Sequence, residues 1–236
     1  MIQALEEMIT LLYPRRCPLC QDILTDKAAL ICMKCRTKAV PIRGPKCKTC
    51  GKPVASLETE YCPDCQEKTH FFTSGRAVFL YEKEIRKSVY QFKFHNKREY
   101  AGFYVSEMER VCGDEIRTWN PDVIIPVPMY PRKQRERGFN QAADIADRVG
   151  RNLKIPVPDQ IIRKTKNTRS QKKLSAAERK QNLREAFQIT ERMDGLSILV
   201  MDDVYTTGST IEAMAHVLKG AGADRVFFVT LCMGWI

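Results

Sequence analysis

From about residue 71 onward, short apolar runs alternate with longer stretches whose apolar positions recur at helical spacing. The runs at 77–81 (AVFLY), 122–127 (DVIIPV), 196–201 (LSILVM) and 225–231 (RVFFVTL) predict strands, being rich in β-branched and aromatic residues. The run at 196–201 is apolar on both faces, as in a strand buried inside a parallel sheet. Between the runs, 83–112 carries helical spacing broken near Asn96. The stretch 139–153 places Phe139, Ala142, Ala143, Ile145, Ala146 and Val149 on one stripe, and 210–221 predicts a further helix. Strands alternating with helices predict an α/β fold, a doubly wound parallel sheet flanked by helices. About 160 residues are ample for one core.

Ahead of this pattern the rhythm is set by cysteine. Eight of the ten cysteines form four C-x-x-C pairs, Cys17/Cys20, Cys32/Cys35, Cys47/Cys50 and Cys62/Cys65, repeating every 15 residues. A secretory leader is not expected. The apolar residues Ile2, Leu5, Met8, Ile9, Leu11 and Leu12 are interrupted by Glu6 and Glu7, with no basic stretch before them. No apolar run is long enough to span a membrane, so a cytoplasmic address is expected. That compartment disfavours a disulfide framework, and four consecutive pairs read as zinc knuckles. Each pair offers two thiolates from one tight turn, and two turns complete a tetrahedral four-sulfur site. Two structural Zn2+ ions are expected, with no position open to substrate.

Sequential pairing puts Cys17, Cys20, Cys32 and Cys35 on one ion and Cys47, Cys50, Cys62 and Cys65 on the other. It closes the shorter loops; interleaving first with third pairs is the alternative. So small a segment needs metal to fold. The expected organisation is an N-terminal helix (1–14), a double zinc ribbon (15–70) and an α/β domain (71–236). Cys112 and Cys232 fall outside the pattern and are expected to be buried small apolar residues.

The net charge is +11, concentrated in two segments, 15–53 and 162–184, each net +8. Such concentration suggests a polyanionic partner. The segment 91–98 (QFKFHNKR) mixes aromatic and basic residues as single-stranded nucleic acid grooves do; the competing reading is an amphipathic helix end with Phe92 inside. His70, His95 and His216 are isolated and are not expected to ligate metal.

The strand at 196–201 runs into Asp202, Asp203, Val204, Tyr205, Thr206, Thr207, Gly208, Ser209 and Thr210, and then a helix. Unpaired N–H groups and the positive end of the helix dipole, together with hydroxyls, make a phosphate cradle there. Gly208 lets the backbone approach the anion. Carboxylates at the carboxyl end of a parallel strand lie where such sheets bind ligands, suited to ribose hydroxyls and, through them, Mg2+. It is neither a G-x-x-x-x-G-K-[ST] loop nor a G-x-G-x-x-G fingerprint. Strand alternation would send the two aspartates to opposite faces, so one is expected to touch the ribose.

ILVMDDVYTTGST resembles the phosphoribosyl-diphosphate (PRPP) motif of type I phosphoribosyltransferases. Pro126-Val127-Pro128, the basic stretch 132–137, Arg137-Gly138-Phe139-Asn140-Gln141, Thr168-Arg169-Ser170-Gln171, Leu174-Ser175, Arg179, Asn182 and Ala186-Phe187 resemble the ComF competence family, as does the multi-cysteine ribbon in front.

The resemblance implies that ribose 5-phosphate sits on Thr206, Thr207, Gly208, Ser209 and Thr210, and that Asp202 and Asp203 meet the ribose hydroxyls as the catalytic pair. It implies a pyrophosphate loop at Val127, Pro128 and Arg132, a lid in 163–173, and Mg2+ bound with PRPP. In function it implies handling of incoming single-stranded DNA in natural transformation, alongside a DNA-translocating ATPase. A salvage-type phosphoribosyltransferase acting on an unidentified base or amine is the alternative. Glutamine-driven amine transfer is not expected, because Ile2 stands where an N-terminal cysteine nucleophile would.

Overall fold

A computed structural model describes residues 14–26, 28–159, 161–165 and 186–234. Of the expected N-terminal helix (1–14) only Pro14 is described, and it is not helical; the rest of it, the basic stretch 166–173 and the matched residues between 168 and 182 lie outside these residues.

Four strands form an all-parallel sheet: β1 (Ser74–Leu80), β2 (Val123–Pro126), β5 (Ser197–Tyr205) and β6 (Arg225–Met233), in the order β1-β6-β5-β2. Two short antiparallel strands, β3 (Ile162–Lys164) and β4 (Phe187–Ile189), stand apart from it. The helices of this part are α3 (Lys83–Phe94), α4 (Ala101–Trp119), α5 (Pro131–Arg137), α6 (Gln141–Leu153) and α7 (Ser209–Gly220). Two short ones, α1 (Met33–Arg36) and α2 (Pro63–Glu67), lie in the cysteine-rich segment.

The helical stretch 83–112 is broken where expected. Asn96 takes a left-handed φ of 51°, and the chain restarts through a 3-10 turn (Arg98–Tyr100) into α4. The third predicted strand is longer than its apolar run. It continues through Asp202 and Asp203, because the ladder to β6 extends as far as Tyr205↔Met233. Backbone pairing, not hydropathy, sets its end.

Alternation along β5 and β6 divides the core. Leu199, Met201, Phe227 and Val229 face α3, α4 and α6, whereas Ile198, Val200, Val226 and Phe228 face α7 and the β3–β4 pair. Cys112 and Cys232 are both buried.

The cysteine-rich segment is built onto this sheet. Its middle runs beside the β1 edge: Ile42 N–H donates to Val78 C=O at 2.8 Å, and Pro41 bridges Phe79 in antiparallel sense. An exposed edge is thereby covered. Cys17, Leu19, Ile31 and Cys35 join the α3/α4 side of the core, and Ile42, Cys47, Cys50 and Cys62 join the α7 side. The two ribbons therefore pack against opposite faces of one sheet.

Candidate functional site

In the first and third C-x-x-C turns, backbone N–H groups point at the first cysteine. Burial alone would raise the Cys17 thiol, but the amides of Cys20, Cys32 and Leu19 outweigh it and hold Cys17 down at about 7. Cys47 is likewise held at about 7, burial being offset by the amides of Cys50, Cys62 and Thr49. Thiolate, the form that binds metal, is thus favoured at Cys17 and Cys47, whereas burial raises Cys20, Cys35, Cys50 and Cys65.

The thiols gather into two groups, Cys17 with Cys20, Cys32 and Cys35, and Cys47 with Cys50, Cys62 and Cys65, each with all sulfurs within 4.8 Å of one another. Cys20 and Cys32 Sγ lie 3.7 Å apart, and Cys50 and Cys62 Sγ 3.5 Å apart. A tetrahedral zinc site with four sulfur ligands and bonds of about 2.3 Å needs edges of roughly 3.8 Å. The residues fit two four-cysteine zinc sites in sequential pairing.

The phosphate-loop candidate leaves β5 at its carboxyl end. Gly208 caps α7 with φ +74°, and a Cβ there would lie 2.4 Å from the Tyr205 hydroxyl. That hydroxyl cannot easily yield, because the Tyr205 ring stacks on Phe228 at 4.9 Å. Gly234 N–H donates to Tyr205 C=O at 2.8 Å, tying the loop to the chain after β6. Thr206, Thr207 and Ser209 are exposed and Thr210 is half-buried. The Thr207 and Ser209 hydroxyls meet at 2.8 Å. Hydroxyls and helix-start amides are thus presented together at the surface, as phosphate binding requires.

The two aspartates diverge as alternation demands. Asp203 turns towards α3, where Lys93 Nζ donates to Oδ1 at 2.7 Å. Burial alone would lower Lys93, but Asp203 and then Asp202 outweigh it and raise its pKa. Asp202 accepts the Asp203 N–H at 2.8 Å. Burial first, and the neighbouring Asp203 second, push Asp202 up to about 7. On its side lies Lys164 of β3, lowered by burial and then by Lys133, with Asp202 opposing. A pair of adjacent carboxylates can accept from ligand hydroxyls, and a cation arriving with the ligand would favour the ionised form of Asp202.

The loop after β2 starts beside β5. Val127 N–H continues the ladder to Met201 C=O at 2.8 Å, and Val127 C=O accepts from Asn140 Nδ2 at 3.0 Å. Asn140 also caps α6, accepting from Ala142 N–H at 3.1 Å. Pro128 is half-buried. Arg132 lies on the exposed side of α5 and pairs with Glu136 at 3.0 Å. Arg137, at the end of the same helix, is half-buried and feels the charge of Asp203. Burial lowers it and Asp203 opposes that, its guanidinium lies over the Phe94 ring at 4.7 Å, and Nη1 donates to Gln141 at 2.8 Å.

Arg137 falls in the R-G-F-N-Q match and Lys164 in the expected lid, but the placement of Lys93 beside Asp203 is not evident in the sequence. Lys93 leaves a trace: it lies four residues after Val89 and one after Phe92, on the flank of the buried stripe of α3 (Ile85, Ser88, Val89, Phe92). A lysine there needs a buried partner. Within 91–98, Phe92 is buried as an amphipathic helix requires, while Phe94 is 56% exposed, as is Tyr90 just ahead of the segment at 52%.

Residues 8–66 match the double zinc ribbon domain and residues 105–234 the phosphoribosyl transferase domain. The chain is 32% identical over 226 residues to the DNA utilization protein YhgH of Salmonella typhimurium, covering 93% of this chain and 97% of that one. It is 28% identical over 217 residues to competence protein F of Haemophilus influenzae, covering 89% and 93%. It is also 28% identical over 214 residues to competence protein ComFC of Bacillus subtilis, covering 85% and 83%. The chain belongs to the ComF family. Both halves of the family's architecture are present in this ComF chain, a double four-cysteine ribbon and a phosphoribosyltransferase-like parallel sheet. Among the described residues no helix is long and apolar enough to cross a membrane.

Proposed function

We propose that this ComF-family chain binds PRPP with Mg2+ and handles single-stranded DNA during natural transformation, in the cytoplasm and in concert with a DNA-translocating ATPase. The observation that carries the PRPP part is the pairing of Asp202 and Asp203 at the end of β5 with a Gly208-capped helix start, flanked by Lys93, Arg137 and Lys164. Thr206, Thr207, Ser209, Thr210 and the helix-start amides hold the 5-phosphate. The aspartates take the ribose hydroxyls, and the loop at Val127 and Pro128 receives the pyrophosphate. Mg2+ supplies charge neutralisation for the diphosphate.

The names of the relatives, competence and DNA utilization proteins, support the DNA part. So does the exposed aromatic cluster on α3. Tyr90 lies 4.9 Å from Phe94 and 5.6 Å from His95, with Arg137 against Phe94. Bases stack on such surfaces while cations follow the backbone.

Transfer of phosphoribosyl to a base or amine is the second reading, favoured by Lys164 beside Asp202 and Lys133 near Lys164, cations suited to a departing pyrophosphate. The test is calorimetric titration with Mg-PRPP. The Asp202→Asn/Asp203→Asn double variant should lose roughly 2–4 kcal/mol of binding; unchanged affinity would remove the site assignment. Pyrophosphate release across a panel of bases and amines separates binding from turnover.

A further inference from the structure

The second ribbon touches the phosphate loop's own helix. Cys65 Sγ lies 3.4 Å from His70 Nε2. The other ring nitrogen of His70, Nδ1, lies 3.0 Å from Glu212 Oε2 in the first turn of α7. The second carboxylate oxygen of Glu212 accepts the Phe71 N–H at 3.3 Å. The His70 and Glu212 side chains are only 14% and 16% exposed. His70 stacks on Phe72 at 4.5 Å, Phe72 meets Phe228 edge-on at 5.0 Å, and Phe228 stacks on Tyr205 at 4.9 Å. Tyr205 fills the space under Gly208. The Tyr205 hydroxyl is pushed up by burial and by the nearby Cys50, Cys65, Cys62 and Glu212.

The ribbon is also fixed to β1. Gly75 N–H donates to Thr49 C=O, and Ser74 Oγ to Lys48 C=O, each at 2.7 Å. A Cβ on Gly51 would come 2.5 Å from Gly75 C=O. No comparable chain runs from the first ribbon to α7 among the described residues: its cysteines belong to the opposite side of the core.

We propose that His70 and Glu212 are positioning residues that couple the Cys47/Cys50/Cys62/Cys65 zinc site to the phosphate loop, so that metal retention and phosphoribosyl binding reinforce each other. The coupling rests on the PRPP reading of that loop. Ordering the loop around a phosphate fixes Gly208, the first turn of α7 and Glu212. Glu212 in turn holds His70 against Cys65, so the thiolate leaves the metal less readily. By reciprocity the occupied metal site orders the loop to the same degree.

The experiment measures zinc transfer from the full chain to a chromophoric chelator, with and without saturating ribose 5-phosphate. This ligand occupies the phosphate loop without needing magnesium, which the chelator could remove. Its binding is first established by calorimetry. With ligand bound, release from one of the two zinc sites should slow about fivefold or more, while the other site keeps its rate. His70→Ala and Glu212→Ala should bring the ratio of rates with and without ligand close to one. Glu212→Gln keeps the size and one acceptor oxygen but replaces the other with an N–H donor, so it should restore only part of the ratio.

A variant that only destabilises the ribbon would speed release equally in both conditions and leave the ratio standing; that result overturns the coupling. Binding without any change in zinc release in the native chain also overturns it, while the PRPP reading survives. Absence of ribose 5-phosphate and PRPP binding overturns both.

Discussion

Lys93 Nζ stands 2.7 Å from Asp203 Oδ1, with both side chains 16% exposed, and joins α3 to the end of β5 across 110 residues of sequence. The pair anchors one of the two candidate carboxylates from a helix that lies outside the phosphate-binding motif. Removing one partner strands the other charge in a mostly buried place. Lys93→Met should therefore cost about 3–5 kcal/mol in urea unfolding. The double variant Lys93→Met/Asp203→Asn, which strands neither charge, should recover most of it. Additive losses in the double variant would show that the two residues do not act on each other.

Asp202 predicts a pH dependence. Its carboxyl is raised to about 7 in the folded chain, against about 3.9 in an unfolded one. The folded state thus holds the proton more tightly, so ionising Asp202 erodes stability as pH rises from about 4 to 7. Asp202→Asn should be more stable than the native chain at pH 8, on the order of 2 kcal/mol, with the difference vanishing near pH 4. Binding should show the converse. A ligand that needs the ionised carboxylate binds about tenfold more weakly at pH 6 than at pH 8, since most of the protein must first lose a proton. Mg-PRPP titrations at both pH values check this, and Asp202→Asn should remove that part of the pH effect.

Gly208 and Gly195 make a matched test of the loop. Both have positive φ, +74° and +73°, but only Gly208 has a neighbour in the way, the Tyr205 hydroxyl at 2.4 Å; Gly195 faces open space. Gly195→Ala should cost about 1 kcal/mol from the left-handed backbone alone. Gly208→Ala adds a clash against a ring held by Phe228 and should cost roughly 2–4 kcal/mol. It should also abolish ribose 5-phosphate binding, because the loop must shift. Equal costs at the two positions would mean that Tyr205 moves freely.

The parallel sheet was legible because its strands carry apolar residues on both faces. Val200 and Met201 are buried on opposite sides of β5, as in a sheet covered on both faces. The four thiol pairs were legible from spacing, and shorter loops favoured the sequential grouping over the interleaved one. What sequence could not show was how distant segments meet. Lys93 and Asp203 belong to different periodic patterns, and nothing in either pattern demands the other. Nor did the cysteine rhythm reveal that the ribbons straddle the sheet, since that placement depends on Ile42 pairing with Val78 at the β1 edge. The β3–β4 pair escaped because each strand is three residues long, too short for any period to register.

Because both ribbons share the core with the sheet, metal removal should reach beyond the cysteines. Elemental analysis should return two zinc ions per chain. Strong chelation should lower the thermal midpoint of the whole chain, by about 10 °C if several kcal/mol of ribbon stability are lost. The unfolding should remain a single transition by circular dichroism. A chelated protein whose sheet melts at its original temperature would show that the ribbons fold independently of it.

Binding of single-stranded DNA should be salt-sensitive. If about five phosphates are neutralised, log affinity for a single strand should fall with log salt at a slope near −3.5, about −0.7 per contact. The ribbons do not offer their cations equally. Lys48 is paired with Glu60, and Lys52 with Asp64, whereas Lys34, Arg36, Lys38 and Arg43 are exposed. Neutralising Lys34 and Arg36 should therefore flatten the slope more than neutralising Lys48 and Lys52. The aromatic cluster acts differently. Tyr90→Ala with Phe94→Ala removes stacking worth about 1–3 kcal/mol per base and no charge, so affinity should drop at every salt concentration while the slope stays the same. Replacing Phe94 also strips Arg137 of the ring it lies over, so Mg-PRPP affinity must be measured alongside. A fall in DNA affinity with PRPP binding intact assigns the cluster to the strand, and a fall in both assigns it to the phosphoribosyl site. No DNA association by the intact protein at either of two salt concentrations would remove the nucleic acid role and leave the PRPP site standing alone.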